Sequence, residues 1–336
     1  HATLAQANLK RVIGDEAALF NAVLTGAQLQ DSIFERAHFE GADLSAADFT
    51  NATLVDSYLY GALLRRTVLT GADLTGADLR RTDLSDATLL QTNLQGALLD
   101  GARLHHAHMM EADLESAYLD DADLRHADLR DAILRGTDLR YANMEHARLS
   151  QADLEGANLE GARLNKASLQ SAKLRMAILY KALIDQADFR DANLHHAVLI
   201  GTQGAEVMFT NAALDEIYAP KVSLPRAQFN HARLDSANLV SADLSGANFS
   251  QATLTHTNLQ EAILRGALFN GADLSGARLD GADIHQAHFN GSNLASSTGL
   301  TQAQIDTACF DDQTMLPAEL SRPAPCSIAK KKGAHR

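Results

Sequence analysis

The chain has 336 residues, 46% of them hydrophobic but with no Trp and only 5% aromatic, so its apolar content is Leu and Ala and its core must be narrow. A formal net charge of -13, with 29 Lys and Arg scattered among 42 Asp and Glu, excludes a basic nucleic-acid surface and favours neutral or basic partners. Two cysteines, Cys309 and Cys326, exclude a disulfide framework and a multi-cysteine metal site and fit a reducing, cytoplasmic location, and no apolar run reaches the eighteen or so residues of a membrane span.

The first residue is His1, not Met, so a targeting, membrane or effector segment upstream stands among the alternatives. From Leu4 to Leu294 one rule then governs the chain. Every fifth residue gives 59 positions, of which 56 are Leu, Phe, Ile or Met, the exceptions being Gly14, Gly204 and Ala219. Two residues earlier in each unit stands Ala or another small residue. A helix would smear a period of five around its surface, and a plain strand would flip it between faces. A chain that turns a corner every five residues keeps both the large and the small residue inside.

The phenylalanines set the size of the circuit. Phe189, Phe209, Phe229, Phe249, Phe269 and Phe289 recur every twenty residues, with Phe49 in the same series. Four units per turn would stack them in one inner column. Phe209 and Phe229 hold this register across 201–226, so one domain is expected to run through 1–295. Within that stretch Pro220 and Pro225 remove backbone donors, and Gly204 and Ala219 thin the core, which predicts a bulge or frayed edge. After Leu294 the pattern dissolves into "SSTGLTQAQIDTACF", where Thr301 and Gln304 have capping-box spacing. Residues 296–320 are thus a predicted C-terminal helical cap, with Leu300, Ile305 and Cys309 over the last coil, and 321–336 a predicted disordered tail.

Units such as "GADLTGADLR" at 71–80 and "GADLSGARLD" at 271–280 resemble the pentapeptide repeat family over roughly residues 1–295. That resemblance implies an all-β fold, a right-handed quadrilateral parallel β-helix with four pentapeptides per coil. Some members of the family mimic double-stranded DNA and protect topoisomerases such as gyrase, so a DNA-mimic regulator is one functional alternative. Magnitude weighs against it: DNA carries one charge per about 1.7 Å, so a rod of about 70 Å needs on the order of forty negative charges.

If residues twenty apart are neighbours, chemistry must be sought at that spacing. Glu115, Arg135, Glu155, Arg175, His195 and Asp215 share one outer column, and Asp83, Arg103 and Asp123 another; both read as structural charge ladders. His106, His126 and His146 form a histidine row too spread for one ion, and the pairs His105–His106 and His195–His196 lack a metal-binding helix context. No catalytic triad, phosphate loop or dinucleotide fingerprint is present, so neither an enzyme, a small-molecule substrate, a cofactor nor a metal is expected. The better signal is apolar. Ile178 and Tyr180, Val198 and Ile200, and Tyr218 and Pro220 point outward on one face of three successive coils, which also carries Tyr58, Tyr60 and Tyr118. Such a patch marks a contact with a protein partner or a second copy, unless the bulge at 201–226 folds back over it. The expectation is a non-enzymatic binding scaffold without direct nucleic-acid or membrane contact, or else a repeat module of a larger secreted effector or membrane-attached protein.

Overall fold

The computed structural model describes residues 2–323; Cys326 and the rest of the expected tail lie outside the described residues. Backbone pairing consists of isolated parallel bridges between residues twenty apart, from Thr3 with Val23 to Arg278 with Thr298. The chain is therefore a solenoid in which every coil stands on the one before. Its walls are single-bridge segments joined by turns.

Each turn follows from the pentapeptide itself. The Ala7 N–H donates to the Leu4 carbonyl at 3.0 Å, closing a four-residue turn, and Gln6 within it has a φ of 59°. The same left-handed conformation recurs one residue before each small inner residue, which is why Gly, Asp, Asn and His crowd that position. The Asp of the "ADL" phrase secures the other side. The Thr75 N–H and hydroxyl both donate to Asp73 Oδ1, at 3.0 and 2.6 Å, and Ser45 N–H reaches Asp43 Oδ1 at 3.0 Å. Where the small inner residue is Ser or Thr, its hydroxyl is bonded inside: Ser32 Oγ donates to the Leu29 carbonyl at 2.6 Å and Thr67 Oγ1 to that of Leu44 at 2.9 Å.

The core is one continuous cluster of Ala and Leu from Ala22 onward. Along one wall Phe189, Phe209, Phe229, Phe249, Phe269 and Phe289 stack face to face, with centroid spacings of 4.7 to 5.1 Å. That spacing is the separation of neighbouring strands.

The stretch 201–226 does not bulge. Gln203 bridges Ser223, Met208 bridges Gln228, and Tyr218 bridges Asn238, so the ladder is unbroken. The prolines are harmless because they occupy the unit position whose N–H takes no part in the backbone ladder; their own carbonyls still accept, from Gly201 and Glu206 at 3.3 and 3.0 Å. Nor is the core thin. A Cβ on Gly204 would lie 2.6 Å from Ile184 Cγ1 and 2.9 Å from Val207 Cγ2, so larger neighbours already fill the space. At 217–219 the large and small positions are exchanged, with Ile217 and Ala219 both buried. Gly14 is likewise filled by the ring of Phe34.

Among the described residues the single helix is α1, Gln302–Ile305, with both halves of the Thr301–Gln304 capping box formed. Ile305, Ala308 and Phe310 join the core, Leu300, Leu316 and Leu320 pack against it, and Phe310 extends the aromatic stack beyond Phe289 at 5.2 Å. This segment slips the register, since His288 bridges Cys309 and Asn293 bridges Met315. No helix among the described residues is long and apolar enough to cross a membrane.

A candidate protein-binding face

In each unit the residues on either side of the buried central one point outward, so one wall presents two parallel columns. On the wall backed by Leu179, Leu199, Ala219 and Leu239, the first column runs Ile178, Val198, Tyr218 as consecutive bridge partners, bounded by Asn158 below and Asn238 above. The second column runs Tyr180, Ile200, Pro220. Ile178 and Tyr218 are 37% and 48% exposed, while Tyr180, Val198, Ile200 and Pro220 are half-buried. Because 201–226 stays in the wall, that segment does not lie over the patch. One more residue belongs here: half-buried Val240 continues the second column above Pro220. Its spacing of twenty from Pro220 was the signal that could have found it.

The patch has charged margins. On one side stand Lys181 and Lys221; the Lys181 ammonium lies over the Tyr180 ring, 4.7 Å from its centroid, where the ring face attracts a cation. On the other side the corner carries His195, His196, Asp215 and Glu216. Nearer the beginning of the chain the same wall bears an aromatic run in which His38 stacks between Phe20 and Tyr58, at 4.8 and 4.7 Å.

The charged columns behave differently from the expected ladders. Arg175 does meet Glu155 twenty residues away, at 3.6 Å, but Arg135 reaches diagonally to Asp153 at 2.7 Å. Asp123 pairs with Arg125 at 2.7 Å, and Arg103 only approaches Asp83, at 3.8 Å. The reason is geometric. An Asp just before the central residue has its carboxylate anchored by the N–H two residues on, which presents both oxygens to an Arg at that same position. Arg80 with Asp78, Arg130 with Asp128, Arg140 with Asp138 and Arg190 with Asp188 all make this forked contact, at 2.6 to 2.7 Å. At these units the Asp charge is neutralised locally.

His106, His126 and His146 stack as a row with rings 4.9 Å apart and 7° from parallel. Their ring planes lie over one another, so their nitrogens run in a line and cannot surround an ion. Burial, then the neighbouring imidazoles, lowers the His126 pKa below its usual value. A groove beside α1, lined by Arg265, Asp283, His285, Gln304 and Thr307, has its arginine already occupied by Asp283. It assembles no nucleophile with a base.

A family model for pentapeptide repeats matches eight stretches of the chain, residues 22–59, 42–86, 77–115, 117–156, 147–186, 187–217, 221–251 and 258–295. Among solved structures, HetL from the cyanobacterium Nostoc sp. strain PCC 7120, a pentapeptide repeat protein involved in heterocyst differentiation regulation, is 36% identical. The match covers 60% of this chain and 88% of HetL, with a TM-score of 0.37. Rfr23 from the cyanobacterium Cyanothece 51142 is 28% identical over 29% of this chain and 63% of its own, with a TM-score of 0.24. QnrB1, a plasmid-mediated fluoroquinolone resistance protein, is 17% identical over 83% of this chain and 92% of its own, with a TM-score of 0.17. The search of curated proteins returned no significant match.

Proposed function

This chain belongs to the pentapeptide repeat family, and from that premise we propose that it is a non-enzymatic scaffold, a rigid rod whose apolar wall binds a protein partner or a second copy of itself. The architecture proposed with it is a right-handed quadrilateral β-helix of about fifteen coils, closed by residues 296–320 as a C-terminal cap. The observation that carries the reading is the pair of adjoining columns, Ile178–Val198–Tyr218 and Tyr180–Ile200–Pro220–Val240, apolar across consecutive coils on a surface where charge is otherwise interleaved. Aromatic and branched residues in register on a stiff wall lose little entropy when covered, which suits them to a contact.

The test is association before and after charge is placed in the patch. Sedimentation velocity should show self-association of the wild type, or affinity capture a stoichiometric partner. The triple variant Ile178→Glu, Val198→Glu, Ile200→Glu should weaken either association at least tenfold while keeping its far-ultraviolet circular dichroism. A folded triple variant that associates as the wild type does removes the patch from the interface. The DNA-mimic alternative is disfavoured by the net charge of -13, well short of the roughly forty such a rod would need, and by the forked Arg–Asp pairs that offset part of it. A gyrase supercoiling assay unaffected by micromolar protein would dismiss it.

A further inference from the structure

One corner of the rod brings together side chains that sequence spacing alone keeps apart. His195 and His196 are consecutive in the turn of one coil, and Glu216 occupies the place of His196 one coil on. Backbone bonds fix this stacking: Met176 N–H donates to the His195 carbonyl at 3.0 Å, His196 N–H to that of Asp215 at 3.2 Å, and Glu216 N–H to that of Asp235 at 2.9 Å. The two imidazoles lie with centroids 3.9 Å apart and planes tilted by 49°, unlike the parallel rings of the histidine row. His196 Nδ1 stands 3.5 Å from Glu216 Oε2. One ligand atom from each of the three residues lies within 4.8 Å of the other two.

We propose that His195, His196 and Glu216 bind a divalent first-row transition ion of the zinc type. Such an ion takes imidazole nitrogen and carboxylate oxygen at about 2.0 to 2.2 Å, so its tetrahedral ligands sit about 3.3 Å from one another. The His196–Glu216 pair is already near that separation. His196 and Glu216 are exposed and free to swing, so side-chain rotation closes the remaining gap without moving the backbone. Two nitrogens and one oxygen suit a borderline ion, whereas calcium and magnesium seek oxygen throughout. Three protein ligands leave one position for water or a group from outside. Local charge is permissive: Arg175, one coil before, is engaged by Glu155 at 3.6 Å. The buried Asp215 carboxylate pairs through Oδ2 with the Arg233 guanidinium at 2.7 Å, while its Oδ1 has no hydrogen-bond partner. The inference is independent of the binding-face reading, although the corner borders that wall.

Calorimetric titration of the whole chain with zinc alone tests it. One equivalent should bind, and both His196→Asn and Glu216→Gln should weaken that binding at least tenfold. Asn is chosen because it tolerates the left-handed backbone of His196, φ 58°. His126→Asn, in the stacked row, should bind zinc as the wild type does. Saturating zinc should raise the melting temperature of the wild type and of His126→Asn, but not of His196→Asn. Absence of a one-equivalent site, undiminished affinity in His196→Asn or Glu216→Gln, or loss of the site in His126→Asn would each overturn the assignment; retained circular dichroism shows the variants to be folded.

Discussion

At the scale of single residues, the informative positions are those that break the repeat. Ile217 and Ala219 exchange the usual small and large roles, and both are buried. Replacing Ile217 by Ala alone leaves a hole and should cost about 2 to 5 kcal/mol, while Ala219→Leu alone overfills the coil by about 1 to 3 kcal/mol. The double variant restores the common pattern and should be far less destabilised than the sum. A double-mutant cycle by urea unfolding measures this coupling, and strict additivity would show that the two sites do not share one space. These positions explain why the expected bulge was a misreading. Sequence marks Gly204 and Ala219 as gaps because it counts each position alone, whereas Ile184, Val207 and Ile217 supply the missing volume from neighbouring positions.

At the scale of the repeating element, the phenylalanine column is a single stack of buried rings, and each interior ring meets two others. Phe249, flanked at 4.7 and 4.9 Å, is the best probe. Phe249→Ala should cost about 3 to 5 kcal/mol, and Phe249→Leu, the residue seven other coils use here, distinctly less. Chemical denaturation of the two variants compares them directly. The period of five and the period of twenty were legible because burial constrains every fifth residue and vertical contact every twentieth. The forked Arg–Asp contacts were not, because column spacing suggests partners twenty apart while the turn geometry favours partners two apart. The corner of His195, His196 and Glu216 escaped for a related reason: metal spacings learned from helices do not apply where the next neighbour is a whole coil away.

At the scale of the whole molecule, the many anchored carboxylates set the response to acid. Hydrogen bonds from Arg80 and Arg125 hold Asp78 and Asp123 below the ordinary 3.8, and burial, which alone would raise Asp128 and Asp188, is outweighed by bonds from Arg130 and Arg190. A carboxyl lowered by folding contributes stability that is complete above its unfolded value and disappears as the pH falls through the folded one. Asp215 works in the opposite sense, because burial pushes its carboxyl up. With lowered groups in the majority, the melting temperature should stay level from neutrality to about pH 5 and fall steeply below pH 4. Arg130→Gln with Arg190→Gln should flatten that fall, and a melting temperature insensitive to acid would refute the account.

The bridges that join each coil only to the one before and the one after also dictate how the rod fails. Opening it in the middle lays bare two raw interfaces, whereas losing a coil from an end lays bare at most one. Damage therefore erodes this molecule inward from its tips, and the oldest intact storey is always one near the centre.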